Sequence, residues 1–242
     1  MTPLLDSGLP PVEDGPLPVL AEGPGWLVVD KPSRVIVHYN PQNRNGERPA
    51  LQRVRDQVGR TVYLIHRLDR QASGCLLFAT LPELAGPLSA CLNGPDSEKE
   101  YLAFVRGRYK LPSPQVIETP MKDSRGVLRE ARSVVRCLGA SEEPRCSLLH
   151  VAPETGRFHQ VRRHVRDLGH PILGDGEHGD SRVNRDWREG FGLNRLGLHA
   201  RRLSMPLPDG GRLDVVAPLP EDLRHVLCRM PWWEDVREAV GG

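Results

Sequence analysis

One carboxylate in this chain stands where it is worth more to chemistry than to folding. Asp69 lies in the run His66-Arg67-Leu68-Asp69-Arg70-Gln71-Ala72-Ser73-Gly74, between two arginines. An arginine-flanked acid can be a plain solvated turn, but its surroundings argue otherwise. Tyr63 to Leu68 suits an extended strand, and a period of two puts Arg67 and Asp69 on one face with Leu64 and Leu68 on the other. Behind it, Gly74 permits a tight bend, and Cys75-Leu76-Leu77-Phe78-Ala79 is a continuous apolar run, the pattern of a strand buried on both faces. Asp69 is therefore expected on a turn held between two core strands.

A second segment, Glu154 to Gly169, carries the partner such a carboxylate needs. Thr155 can cap and Gly169 can end a helix of about three turns, with Phe158, Val161, Val165 and Leu168 as its apolar stripe. Arg162 falls on that stripe, and a buried arginine requires a carboxylate because an unpaired buried charge costs several kcal/mol. Asp69 would be that carboxylate. The pairing would keep it ionised in a dry site, the state a nucleophile or base requires. The competing reading is that Arg162 snorkels to solvent beside Arg166.

The elements that position these residues can be read from periodicity and breakers. Trp26 to Asp30 is a strand stopped at Lys31-Pro32-Ser33, and Val35 to His38 reads as another. Helical spacing covers Arg48 to Val58, ended by Gly59, and Leu81 to Leu92, ended by Asn93-Gly94-Pro95. Lys99 to Gly107 alternates as a strand; Arg132 to Cys137, Cys146 to Val151, Leu196 to Leu203 and Arg212 to Val216 read likewise, and Glu221 to Arg229 reads as a last helix. Many strands and few helices without regular alternation predict an α+β fold, a mixed, largely antiparallel sheet flanked by helices. Residues 1–16, rich in Pro, Gly and acid, are expected as a loose tail ahead of one catalytic domain over 17–242.

Composition excludes other classes. The chain has 242 residues, 38% apolar and 26% charged, which is ordinary for a globular protein with a real core. It has neither a run of apolar residues long enough for a membrane span nor a secretory signal at its N-terminus, so a cytoplasmic location is expected. Five cysteines with no C-x-x-C pair argue against a disulfide framework or structural zinc, and they are expected to be reduced and mostly buried. The net charge of +2 does not itself suggest a nucleic-acid partner. Distribution does: between His150 and Arg202 the cations are nearly all arginine, whose planar fork pairs with phosphate and stacks on bases. The acidic and histidine-rich run from Asp175 to Asp180 has no H-E-x-x-H, a calcium loop starting there would have Asp180 where glycine is needed, and no G-x-S-x-G elbow is present, so neither a metal nor a serine hydrolase is expected.

Four segments stand in a telling order: His66-Arg67-Leu68-Asp69 with Ser73-Gly74; Lys99-x-Tyr101-x-Ala103-x-Val105-x-Gly107; Thr155-Gly156-Arg157-x-His159-Gln160-Val161-Arg162; and Gly169-His170-Pro171-Ile172-Leu173-Gly174-Asp175. In order and spacing they resemble successive motifs of the RluA family of pseudouridine synthases. The resemblance covers roughly residues 17 to 217. Val54 to Gly59, Gly176-x-x-Gly179-Asp180, Asn184-Arg185 and Phe191 to Leu196 resemble a tRNA-modifying branch of the family. The resemblance implies the pseudouridine synthase fold; the N-terminus is too short and acidic to be expected to hold the small S4 RNA-binding domain that many relatives carry, and a monomer is expected. It further implies that uridine in RNA, tRNA first and ribosomal RNA as the rival, would be isomerised with no cofactor. On the same resemblance, Asp69 would be the catalytic carboxylate, Arg67 would fill the space left by a flipped base, Tyr101 would stack on the uracil, and Arg162 would pair with Asp69. Gln71 and Ala72 depart from the family's usual Pro and Thr, which removes a hydroxyl from the turn. A non-catalytic RNA-binding protein is the alternative from another class, and an intact Asp69, Tyr101 and Arg162 speak against it.

Overall fold

A computed structural model describes residues 12–39 and 47–241. In chain order its first elements are β1 (Val19–Gly23), β2 (Trp26–Lys31), α1 (Ala50–Val58), β3 (Tyr63–Leu64), β4 (Ser73–Ala79), α2 (Pro82–Leu92) and β5 (Glu98–Arg106). Then come β6 (Gln115–Ile117), β7 (Met121–Lys122), β8 (Leu128–Arg129), β9 (Ser133–Ser141), β10 (Cys146–Pro153), α3 (Gln160–Asp167) and α4 (Ser181–Phe191). The chain closes with β11 (Leu198–Pro206), β12 (Arg212–Val216), α5 (Glu221–Leu227) and α6 (Trp233–Val240). This is the expected α+β class, with largely antiparallel pairing.

The chain divides into two compact units. One comprises Pro11–Lys99 with Ala200–Pro218. Its strands run in the order β1, β2, β4, β11, with β3 added to β4 and β12 to β11. Every residue of β4 is buried, as its unbroken apolar run requires. Val28, Leu77, Leu88, Met205 and Leu213 share one core cluster, so α2 is docked through Leu88 and Leu92. Gly74 has φ +111, and a Cβ there would lie 2.1 Å from the carbonyl oxygen of Ala200. Only glycine lets the turn that carries Asp69 enter β4 against that backbone.

The other unit comprises Glu100–His199 with Leu219–Gly242. Its strand order is β5, β10, β9, β6. Phe104 and Leu148 pack with Trp187 of α4 and with Leu223 and Trp233 of the C-terminal helices. The Phe104 and Trp187 rings meet edge to face at 5.1 Å between centroids, an arrangement that adds to the area they bury.

The structure departs from several expectations. Val35 to His38 is not a strand. Val35, Ile36 and Val37 are buried, but the carbonyls of Ile36 and Val37 accept from the amides of Ala50 and Leu51, so the segment caps α1 instead of joining a sheet. The strand expected over Tyr63 to Leu68 is regular only at Tyr63–Leu64; beyond it, one ladder bond remains, from the Ile65 amide to the Leu77 carbonyl. The helix expected from Thr155 starts at Gln160, and Thr155 spends its hydroxyl on the Gln160 side chain. The tail expected at 1–16 lies outside the described residues up to residue 11, while Glu13 and Asp14 bind Arg48 and Arg53 at α1. Only Cys75 and Cys146 of the five cysteines are buried. The helices α4 and α6, neither of them expected, are real: Asp180 caps α4 by accepting from the amides of Arg182 and Val183, and Gly192 ends it in the left-handed conformation.

Candidate active site

The backbone of the Asp69 turn is tied down at several points. The Asp69 carbonyl accepts from the Ala72 amide at 3.1 Å, which closes the turn. Lys31 comes off the end of β2 and is wholly buried; its ammonium donates to the carbonyls of Pro32, Val35 and Arg70 at 2.8, 2.9 and 3.2 Å. An ammonium has three donors and no acceptor, so three converging carbonyls are what a buried one needs. Ser33 Oγ donates to the Gln71 carbonyl at 2.7 Å, so the peptides on both sides of Gln71 are tied to Lys31 and Ser33. Arg70 itself reaches Glu47, Nη2 to Oε1, at 2.7 Å. Leu68 is buried, between the exposed Arg67 and the half-buried Asp69.

His66, the first residue of the motif, locks the turn from its other side. Its Nε2 accepts from the Leu77 amide of β4 at 3.1 Å, so the ring carries its hydrogen on Nδ1. Burial, aided by the Lys99 charge, lowers its pKa to about 4 against a smaller raising effect from the Arg67 backbone. The unfolded histidine titrates near 6.5, so between about pH 6.5 and 4 the unfolded chain binds a proton that the folded chain refuses. The His66 contribution is thus fully present above pH 6.5 and is lost as pH falls across that window, by at most about 3 kcal/mol. Urea midpoints at pH 7.5 and pH 5 are expected to fall less in His66→Gln than in the parent chain. An equal fall in both would rule this out.

In the other unit, Arg162 is buried on α3 as expected, and it bonds Asp175. Nε donates to Oδ2 and Nη2 to Oδ1, both at 2.7 Å, a two-pronged fork. Asp175 also accepts from the amides of Glu177 and His178 at 2.9 Å. Burial by itself would raise its pKa; the Arg162 fork and those amides outweigh it and hold the carboxyl below the usual range. Asp175 is held in place by Asn184 of α4, whose Nδ2 donates to the Asp175 carbonyl and whose Oδ1 accepts from the Gly174 amide.

The Thr155-Gly156-Arg157 segment is organised by Gln160. Its Oε1 accepts from Thr155 Oγ1 at 2.6 Å and from the Arg157 amide at 3.0 Å, and its Nε2 donates to the Arg132 carbonyl and Ser133 Oγ. His164, wholly buried, sits within 2.9 Å of Ser133 Oγ, and burial lowers its pKa. Tyr101 lies on β5 opposite Val151 of β10 and is half-buried, not a core aromatic.

His159, Glu177 and His178 place one ligand atom each within 4.8 Å of one another, the single such trio among the described residues. His159 Nδ1 and His178 Nε2 are already at hydrogen-bond distance, 3.0 Å. Guanidinium groups approach the trio as well, Arg162 at 3.7 Å from Glu177 and Arg166 at 3.5 Å from His178 Nδ1. That field opposes a dication, and the trio is better described as a hydrogen-bonded cluster.

Lys31 and Asp175 carry the architecture of these two places, and sequence reasoning gave neither of them a role. A lysine ending an apolar strand immediately before Pro32, and an aspartate following Gly174 after the buried pair Ile172-Leu173, were the available signals.

Residues 25–167 match the RNA pseudouridylate synthase family, and the chain belongs to it. These enzymes are isomerases that act on uridine in RNA. Among curated relatives, proteins called tRNA pseudouridine synthase C from Yersinia pestis and Vibrio cholerae are each 34% identical to it. Those matches cover 85% and 87% of this chain and 88% and 94% of the relatives. The chain spans about half, 54%, of a longer relative of the same name from Pectobacterium carotovorum, with 36% identity over 77% of this chain. Among solved structures, human RNA pseudouridylate synthase domain containing 1 superposes with a TM-score of 0.70 at 25% identity, covering 88% of this chain and 87% of that one.

Proposed function

We propose that this enzyme converts a uridine of tRNA to pseudouridine, at position 65, as a cytoplasmic monomer, with Asp69 as its catalytic carboxylate. The similarity to the relatives called tRNA pseudouridine synthase C over most of both chains carries the choice of tRNA. The rigidly held Asp69 turn supports the choice of carboxylate.

The reaction breaks the bond from C1′ to N1, turns the uracil, forms a bond from C1′ to C5, and moves the C5 proton to solvent while N1 gains one. Atoms and electrons balance without an oxidant, a reductant or an external energy source. Asp69 would attack the sugar or the base, or remove a sugar proton. A base in an RNA stem must first leave the stack at a cost of a few kcal/mol. Arg67, exposed beside Asp69 in sequence, would occupy the space it leaves. Tyr101 would stack on the extruded uracil, an interaction worth about 1–3 kcal/mol. A guanidinium offers five donors, and two of those of Arg162 go to Asp175; others would serve Asp69.

The test is tritium release from tRNA transcripts labelled at C5 of uridine. Release of one equivalent per tRNA is expected, and it should disappear when position 65 is changed to cytidine. Unchanged release from the cytidine transcript would overturn the position, and release from ribosomal RNA fragments alone would overturn the choice of tRNA.

A further inference from the structure

Phe158 is the most exposed large apolar side chain among the described residues, at 67%. As part of a helical stripe it would be buried, yet it lies ahead of α3, where His159 has the left-handed φ of +52. Few side chains other than glycine, asparagine and aspartate adopt that conformation without cost, so the surroundings must hold it. They do. The His159 imidazole is almost enclosed, bonded to His178 Nε2 on its Nδ1 and within 3.5 Å of Glu177. The Phe158 ring lies flat on it, with centroids 3.6 Å apart and planes 24° from parallel. One face of Phe158 is thereby taken by an anchored histidine, and the ring is oriented without being covered.

Its setting is polar and mixed in charge, with Glu154 and Glu177 as well as arginines nearby. Gly156 and Arg157, just before it, are exposed, and a Cβ on Gly156 would meet nothing within 4 Å. Arg157 donates Nε to the Glu130 carbonyl, which fixes its guanidinium at this surface. Arg163 and Arg166 follow on the first turns of α3. A protein partner would be expected to meet a wider apolar patch. Arg166 is bonded to Asp167, which leaves Arg157 and Arg163 as the cations of this segment placed to meet phosphate; a flat ring between them in sequence fits a flat apolar partner tethered to phosphates.

We infer that the open face of Phe158 stacks on an unpaired base of the substrate RNA while the neighbouring arginines meet its backbone. The inference rests on the RNA-modifying function proposed for this enzyme and adds a binding residue to it. Stacking needs only a π-face, so the contact supplies affinity and position without selecting a particular base.

The experiment measures filter-binding Kd and tritium-release kinetics with an unmodified tRNA transcript for Phe158→Ala, Phe158→Leu and Phe158→Trp. Phe158→Ala is expected to weaken Kd and raise KM about 5- to 150-fold with kcat changed less than about twofold. Phe158→Trp is expected to bind about as well as the parent, and Phe158→Leu to fall with the alanine variant. Unaltered Kd in Phe158→Ala, or parental affinity in Phe158→Leu, would overturn the inference, because a side chain that merely shields His159 tolerates leucine. Thermal melts show whether any loss comes from unfolding. Since Kd is read without turnover, failure of the wild-type chain to release tritium would count against the proposed reaction and leave this contact still measured.

Discussion

Asp69→Asn is expected to remove tritium release from labelled tRNA, by about a thousandfold or more, while the fold and RNA binding persist. The magnitude comes from the reaction, because no step can begin without an ionised carboxylate at the sugar or base, and a neutral amide neither attacks nor abstracts. Persistence of the fold comes from how the turn is built. Bonds to the carbonyls of Asp69, Arg70 and Gln71 and from the Leu77 amide to the His66 ring hold it, and these survive the substitution. The melting temperature is therefore expected to move by only a few degrees. Retained turnover would overturn the assignment of Asp69. Lost turnover together with collapse of the melt would show that the carboxylate is structural after all.

The same turn shows why some of this site could be read from the chain and some could not. Asp69 and Gly74 announce themselves through residue type: a carboxylate set between two arginines, and a glycine that periodicity leaves at the entry to a buried strand. Arg162 was legible as a buried cation because helical spacing put it between Val161 and Val165, both buried in the structure. Spacing gave no sign of its fork to Asp175. The fork to Asp175 joins residues 13 apart through a loop, and loop conformation depends on contacts such as those of Asn184 that no periodicity encodes. Phe158 misled for a related reason. The stripe Phe158, Val161, Val165 is correctly spaced, but Gln160 pulls Thr155 and Arg157 into a bonded loop and delays the helix, so the stripe loses its first member. Val35 to Val37 misled because burial without ladder partners has the same residue types as a strand.

Arg162→Met should show the second large effect, and it separates the two jobs of this arginine. Asp175 has no exposed side-chain surface, so removing its guanidinium leaves a buried carboxylate with only two amide donors. Breaking a buried pair from one side costs about 3–5 kcal/mol. In a chain of this size that corresponds to a fall of about 6–20 °C in melting temperature. The loss should be greatest near neutral pH and shrink in acid. The folded Asp175 pKa is held down by Arg162, so its contribution is present above the unfolded value of 3.8 and is lost as pH falls through the folded one. Adding Asp175→Asn to Arg162→Met removes the stranded charge while keeping an oxygen for the Glu177 and His178 amides, and should restore most of the stability. If Arg162 served only Asp175, activity would return with the fold. The proposed second role, holding Asp69 ionised, requires the double variant to be stable and still impaired by at least about a hundredfold in kcat. A stable double variant with parental kcat would confine Arg162 to its bond with Asp175 and remove it from the chemistry.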